Sequence, residues 1–140
     1  MTQVEAYRQI VEARAGGACE YCRLLQAATG VTFHIEHFVP RSRGGLTVMS
    51  NLVLSCPGCN LSKADRASGE DQSGVTQSLF NPRDYEPSIL GWHLHFSLDG
   101  DTGIISPRTS IGEATVNTLR INDPNRVFAR KLQIFVGLIA

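Results

Sequence analysis

The sequence predicts an α+β fold, because strand-like runs and segments with helical signals alternate along its 140 residues. Residues 31–39 and 52–54 are rich in β-branched and aromatic side chains, which is typical of strands. Residues 57–66 begin with a proline, which is common at the first helical position, and continue with good helix formers. The middle of the chain is therefore predicted to run strand, loop, strand, helix.

A helix is predicted before this central unit. Thr2-x-x-Glu5 has the pattern of a capping box, which is a sequence signal for a helix start. Gly16-Gly17 breaks regular structure shortly after Arg14. We therefore expect a helix that ends at about Arg14.

The C-terminal part is predicted to contain a hairpin and two helices. Residues 91–97 and 103–106 flank an Asp-Gly turn, which favours a hairpin. Ser110-x-x-Glu113 is a capping box that predicts a helix to about residue 121. Asp123-Pro124 begins the last helix, whose buried stripe is expected to consist of Phe128, Leu132, Phe135 and Ile139.

These elements predict three parts along the chain. Residues 1–66 form a compact unit that includes the N-terminal helix and all the cysteines. Residues 67–90 show no periodicity and many turn residues, which is typical of a linker. Residues 91–140 are then an accessory hairpin with two helices that packs on the first unit.

The four cysteines of the chain form two Cys-x-x-Cys pairs, Cys19/Cys22 and Cys56/Cys59. Each pair can supply two corners of a tetrahedron, which is how proteins hold a structural zinc ion. Four thiolates leave no open coordination position, so the predicted Zn²⁺ is structural. Two disulfides are the alternative. Since the N-terminal segment is polar and carries no export signal, we expect a cytoplasmic protein with reduced cysteines.

The charge pattern restricts the class of partner. The net charge is zero, which weakens any expectation of avid non-specific binding to nucleic acid. However, residues 1–64 and 102–140 carry an excess of basic side chains, whereas residues 65–101 are acidic. A polyanion would therefore favour the two ends of the chain. No apolar run reaches the roughly 18 residues of a membrane span, so we expect no membrane segment.

A second group of chemically active side chains lies between the cysteine pairs and just after them. It comprises the stretch His34-Ile35-Glu36-His37, the loop Pro40-Arg41-Ser42-Arg43-Gly44-Gly45, and Asn51 and Asn60. Together with Cys19-Glu20-Tyr21-Cys22 and Cys56-Pro57-Gly58-Cys59, these motifs resemble the HNH endonuclease family in its zinc-knuckle form. The resemblance implies the ββα-metal fold, which agrees with the predicted strand–loop–strand–helix order.

The resemblance implies a role for four residues. His37 would be the general base, and Asn51 would brace the loop through hydrogen bonds to the backbone. Asn60 would be a ligand of a catalytic divalent ion. Glu36 stands where the family usually has Asp and would be the other protein ligand. Its extra methylene group changes the reach of the carboxylate toward the metal.

The residue types support this chemistry independently of the resemblance. Carboxylate and amide oxygens suit Mg²⁺ or Mn²⁺, and an imidazole can take a proton from water near neutral pH. Glu36 and His37 are adjacent, so on a regular strand they would face opposite sides. They share a site only if the strand twists or ends there. Four basic residues flank the cluster and are candidates for phosphate contacts: Arg41, Arg43, Lys63 and Arg66.

We therefore expect a metal-dependent HNH-type endonuclease that hydrolyses DNA phosphodiester bonds. The alternative is a non-catalytic zinc-ribbon module that binds nucleic acid or protein, which Glu36 and the zero net charge favour. A cysteine-based redox protein is a third interpretation. The second cysteine pair argues against it, because a redox Cys-x-x-Cys motif does not need a second matching pair. The presence of both His37 and Asn60 favours the nuclease, because a binding module has no use for a base beside a metal ligand.

Overall fold

The computed structural model describes residues 3–140 and confirms the α+β prediction. Thr2 of the predicted capping box lies outside the described residues. The five α-helices in this part of the chain are α1 Arg8–Arg14, α2 Pro57–Lys63, α3 Ser88–His95, α4 Ser110–Leu119 and α5 Pro124–Phe135. The six strands are β1 His34–His37, β2 Leu52–Ser55, β3 Ser68–Glu70, β4 Thr76–Ser78, β5 Phe96–Leu98 and β6 Ile105–Pro107.

The strands form three separate antiparallel hairpins, and the first of them carries the candidate site. β1 pairs with β2 in a register that places His34 opposite Ser55 and His37 opposite Leu52. α2 follows β2 almost directly and packs against β1. The predicted strand–loop–strand–helix order is present, although β1 is shorter than the predicted run because β2 offers it only four paired positions.

The predicted linker, residues 67–90, has regular structure. It contains the hairpin of β3 and β4, and α4 packs against both of these strands. A 3₁₀ turn at Pro82–Asp84 then places the side chain of Arg83 against the buried carboxylate of Glu20 in an ion pair. This ion pair ties residues 67–90 to the first cysteine pair. The division of the chain into three parts stays a prediction.

The predicted hairpin at residues 91–106 is correct at its turn and wrong in its first arm. Residues 88–95 form α3, and the strand begins only at Phe96. The turn signal marks only the end of this segment, and the residues before it form a helical face in which Ser88, Gly91 and Trp92 are buried. Gly91 is required in this face, because a Cβ there would lie 2.1 Å from the ring of Tyr85.

The C-terminal helices differ from the prediction in their cap and in their orientation. Thr109, not Ser110, caps α4, and its hydroxyl group accepts a 3.0 Å hydrogen bond from the backbone of Gly112. Three residues of the predicted buried stripe, Phe128, Leu132 and Phe135, face solvent, and Phe135 is 87% exposed. Ile139 lies beyond the end of α5 and is partly buried. The buried face instead carries polar side chains at helical spacing: Arg126, Arg130 and Gln133.

A single hydrophobic cluster joins the two halves of the chain. It includes the four cysteines, the aromatic residues Tyr21 and Phe33 of the N-terminal half, and Phe80, Trp92 and Phe96 of the C-terminal half. The indole nitrogen of Trp92 donates a 2.8 Å hydrogen bond to the carbonyl oxygen of Tyr21. The C-terminal half therefore packs directly on the first cysteine pair. No helix among residues 3–140 has both the length and the apolar character that crossing a membrane requires.

Candidate metal centres and active site

The four cysteines meet at one point of the structure. Their Sγ atoms all lie within 4.8 Å of one another, and those of Cys22 and Cys56 are 3.5 Å apart. A tetrahedral zinc ion with Zn–S bonds of about 2.3 Å would hold its sulfur ligands about 3.8 Å apart. The cluster therefore has the dimensions of a four-cysteine zinc site, as the sequence predicts.

Local backbone hydrogen bonds present the two cysteine pairs to each other. In the first pair, the backbone N–H of Cys22 points to Sγ of Cys19 at 3.5 Å. In the second, Cys56 precedes Pro57 at the start of α2, and its Sγ accepts a 3.4 Å hydrogen bond from the backbone of Cys59. Cys56 thus serves as the N-terminal cap of α2. The helix that follows is fixed to the metal cluster by its first turn.

The environment of the sulfur atoms favours a bound cation. All four cysteines are buried. Burial raises the pKa of the Cys59 thiol well above its usual range, because a thiolate in an apolar interior lacks solvation. A divalent cation among the four sulfur atoms would supply the missing stabilisation of the thiolates. The chemistry of this donor set therefore fits Zn²⁺.

Glu36 lies on β1 and is almost fully buried. Its carboxylate is oriented by Tyr21, which lies between Cys19 and Cys22. The hydroxyl group of Tyr21 donates a 2.5 Å hydrogen bond to its Oε1 atom. Among the described residues, no group donates a hydrogen bond to the other oxygen, Oε2. Burial raises the pKa of Glu36 to about 7, against the lowering effect of the Lys63 ammonium group. A nearby cation would hold this carboxylate in its charged form.

His37 occupies the end of β1 and is half-buried. Its Nε2 atom lies 2.8 Å from the hydroxyl oxygen of Thr47, whereas Nδ1 has no hydrogen-bond partner among the described residues. Burial lowers the pKa of His37, and the positive charges of Arg41 and Lys63 lower it further. The imidazole is therefore held neutral at neutral pH, which is the form that can accept a proton.

A surface cavity of about 350 Å³ brings the predicted site residues together. Glu36 and His37 line it from β1, Asn60 lines it from α2, and Arg41 lines it from the loop between the strands. The two adjacent residues of β1 share this cavity because the strand ends at His37. The side-chain amide of Asn60 makes no hydrogen bond with any described residue, so its oxygen is free to bind a ligand.

Asn51 holds the loop that separates the two strands. Its Oδ1 accepts a 2.9 Å hydrogen bond from the backbone of Val39, and its Nδ2 donates to the carbonyl oxygens of Val39 and Leu46 at 3.0 Å. Gly45 is required in this loop, because a Cβ there would lie 1.7 Å from the carbonyl oxygen of Val39. Asn51 acts on the backbone and does not line the cavity.

Three of the four predicted phosphate contacts are exposed, and the fourth is not. Arg41, Arg43 and Arg66 are exposed. Arg41 lines the cavity, and Nε of Arg43 donates a 3.0 Å hydrogen bond to the carbonyl oxygen of Asp65, which also lines it. Lys63 is fully buried, and its ammonium group donates a 2.8 Å hydrogen bond to the carbonyl oxygen of Phe38. The assignment of Lys63 to phosphate is corrected, because its position on the inner face of α2 makes it a support for the end of β1.

Sequence reasoning missed three residues around the site. The hydroxyl group of Tyr21 contacts Glu36, that of Thr47 contacts His37, and Glu20 forms a buried ion pair with Arg83. Tyr21 and Glu20 lie inside the first Cys-x-x-Cys pair, so proximity to the metal was a signal for them. Thr47 sits in an irregular loop, and no pattern in the sequence marks it.

The comparison with protein families agrees with this geometry. Residues 19–66 match the family model described as HNH endonuclease, and this range contains both cysteine pairs and the cavity residues. No curated protein and no solved structure matches the chain.

Proposed function

From the HNH endonuclease domain at residues 19–66, we propose that the protein is a metal-dependent endonuclease that hydrolyses DNA phosphodiester bonds. The observation that carries the proposal is the shared cavity of Glu36, His37 and Asn60. It combines a candidate base with two side chains, Glu36 and Asn60, that each have an oxygen atom without a hydrogen-bond partner in the described part of the chain. The products expected from this family of reactions are ends with a 5′-phosphate and a 3′-hydroxyl group.

The first element of the proposal is a structural Zn²⁺ held by Cys19, Cys22, Cys56 and Cys59. Their sulfur atoms are close enough to share one ion, and they are shielded from solvent. The small ββα unit has little core, and bound metal contributes free energy of folding in such domains. With four thiolate ligands, this ion has no position for substrate.

The second element is a catalytic divalent ion, Mg²⁺ or Mn²⁺, held by Glu36 and Asn60. The residues fit such an ion, because within residues 3–140 one oxygen atom of Glu36 accepts no hydrogen bond and the side-chain amide of Asn60 makes none, beside the same cavity. When bound, the ion would stabilise the negative charge that develops on the leaving 3′ oxygen. Tyr21 orients the carboxylate of Glu36 through its hydrogen bond to Oε1.

The third element is His37 as the general base that takes a proton from the attacking water. Thr47 would accept a hydrogen bond from the Nε2–H group, which leaves the lone pair of Nδ1 available for the proton. The lowered pKa of His37 supports this role, because it keeps the ring neutral before the reaction. Asn51 holds the loop that carries Arg41 toward the same cavity.

The fourth element is contact with the DNA backbone by the exposed side chains of Arg41, Arg43 and Arg66. Arg41 lines the cavity and Arg43 contacts its lining residue Asp65, so these side chains would position a phosphodiester without reading its sequence. Because the net charge of the protein is zero, this local group of cations would account for most of the electrostatic attraction.

A plasmid-cleavage assay with the purified, zinc-containing protein tests the proposal. Supercoiled DNA should be nicked or linearised when Mg²⁺ or Mn²⁺ is added and should remain intact with EDTA. End-labelling of the products should reveal 5′-phosphate ends. DNA binding without cleavage under every metal condition would reject the enzyme and support the non-catalytic zinc-ribbon module.

A further inference from the structure

Arg126 of α5 contacts the cysteine cluster directly. Its Nη1 atom donates a 3.0 Å hydrogen bond to Sγ of Cys59. The Arg126 residue is only 9% exposed, and Cys59 is fully buried. A guanidinium group and a thiolate therefore face each other in a site with little solvent, where a charge-assisted hydrogen bond is strong.

The other end of the same guanidinium group binds the C-terminus of α4. Its Nη2 atom donates hydrogen bonds to the carbonyl oxygen of Leu119, at 2.7 Å, and to that of Arg120. These carbonyl groups end a helix and lack partners within it. Arg126 thus links the last turn of α4 to the second cysteine pair.

The second cysteine pair leaves room for this side chain through Gly58. A Cβ at position 58 would lie 3.0 Å from Nε, 3.1 Å from Cδ and 3.2 Å from Cζ of Arg126. Such distances are tighter than ordinary van der Waals contacts, so a side chain at position 58 would require the guanidinium group to shift by a few tenths of an ångström. The absence of a side chain at Gly58 therefore leaves space for Arg126, which lies 68 positions later in the sequence.

We propose that Arg126 is a positioning residue for the zinc site, which neutralises the Cys59 thiolate and couples zinc retention to the packing of α4 and α5. Four thiolates around Zn²⁺ carry two excess negative charges, and burial makes this excess costly. The guanidinium group supplies one positive charge at hydrogen-bond distance from one of the sulfur atoms. This inference rests on the proposed structural zinc and is independent of nuclease activity.

The primary test compares the zinc-loaded 140-residue protein with its Arg126→Leu and Arg126→Lys variants. The rate of zinc transfer to a chromogenic chelator should rise about 10- to 100-fold in Arg126→Leu, in line with the loss of metal affinity that follows removal of a hydrogen-bond partner of a metal ligand. Arg126→Lys keeps the charge, so its rate of zinc transfer should lie between those of the wild type and Arg126→Leu. Arg83→Met is the matched control, because Arg83 is also buried and ion-paired across the two halves but contacts no sulfur atom.

Spectra of the Co²⁺-substituted variants distinguish a general loss of packing from a change in the environment of the Cys59 sulfur atom. Without the Arg126 donor, the lone pair of the Cys59 thiolate is less stabilised. The thiolate-to-cobalt charge-transfer band should therefore move to longer wavelength in Arg126→Leu and stay at the wild-type position in Arg83→Met. A general loss of stability would not produce this difference between the two variants.

Gly58→Ala is a second route to the same displacement and covers the case in which Arg126→Leu fails to fold. It should increase the rate of zinc release in the wild-type background and add no further increase to Arg126→Leu. Wild-type zinc retention and an unchanged cobalt spectrum in both Arg126→Leu and Gly58→Ala would overturn the inference. A wild-type protein that retains no zinc would overturn the structural zinc as well.

Discussion

The hydroxyl group of Tyr21 donates a 2.5 Å hydrogen bond to the carboxylate of Glu36, so the loop between Cys19 and Cys22 contacts the candidate active site directly. Tyr21 lies between Cys19 and Cys22 in the chain and is fully buried. Because of this contact, the cysteine cluster and the cavity are mechanically connected. A metal that fixes the cluster would also fix the orientation of the carboxylate.

Tyr21→Phe tests this connection. The variant loses only the hydroxyl group, so Glu36 loses the donor that orients Oε1. We expect a higher Mg²⁺ concentration for half-maximal cleavage and an unchanged zinc content. Tyr85→Phe is the control, because the Tyr85 hydroxyl contacts His95 at 2.9 Å and does not line the cavity. Equal Mg²⁺ dependence of Tyr21→Phe and wild type would contradict the connection.

Glu36→Gln tests the assignment of Glu36 as a metal ligand. The substitution keeps the size of the side chain and removes its charge, so the divalent ion should bind more weakly. Titration of cleavage rate with Mg²⁺ should show a higher midpoint and a rate that recovers at high metal concentration. If the two midpoints coincide, Glu36 does not bind the ion, and the zinc-ribbon binding module becomes the better interpretation.

Thr47→Val tests the orientation of the proposed base. Loss of the hydroxyl group leaves Nε2 of His37 without its partner. We expect kcat to fall roughly 5- to 10-fold, since one hydrogen bond contributes about 1 kcal/mol, with little change in DNA affinity. Thr47→Ser keeps the hydroxyl group and should retain most of the activity. A Thr47→Val protein with wild-type kcat would show that the ring needs no such support.

Arg41→Gln and Lys63→Met should affect different properties of the protein. Arg41 is exposed beside the cavity, so its substitution should weaken DNA binding and reduce the salt dependence of affinity by about one phosphate contact. Lys63 is fully buried against backbone carbonyl groups, so its substitution should lower stability toward urea. Lys63→Met with normal stability and a reduced salt dependence would restore Lys63 as a phosphate contact.

His95 should make stability depend on pH. Partial burial lowers the pKa of His95 in the folded protein, so the unfolded chain binds the proton more tightly. Stability is then complete above the ordinary histidine pKa of about 6.5 and decreases as the pH falls below it. The urea midpoint of the wild type should therefore decrease more than that of His95→Gln between about pH 7.5 and about pH 5.5. Equal decreases in the two proteins would contradict this effect.

The local signals in the sequence predicted most of the candidate site. The two Cys-x-x-Cys pairs have a spacing that only a shared ligand explains well, and the structure places all four sulfur atoms together. Glu36, His37 and Asn60 meet in one cavity because β1, β2 and α2 follow each other with short connections. Such a site depends on local geometry, so sequence spacing carries most of the information.

The C-terminal half was harder to predict because its packing partners are distant in sequence. The apolar pattern of α5 suggested that Phe128 and Phe135 would be buried, yet the buried face carries Arg126 and Arg130. These arginines bind a sulfur atom and backbone carbonyl groups that α5 meets only in the folded protein. Hydrophobic periodicity assumes an apolar interior and fails where the interior is polar.

The most direct test of the account is the cleavage of supercoiled plasmid by His37→Ala in the presence of Mg²⁺. Removal of a general base typically lowers the rate by about 10²–10⁴. His93→Ala, an exposed histidine on α3, is the control for purification and folding. We expect His37→Ala to lose this much activity while its zinc content and DNA affinity remain those of the wild type. Cleavage at the wild-type rate by a folded, zinc-containing His37→Ala protein would contradict the account.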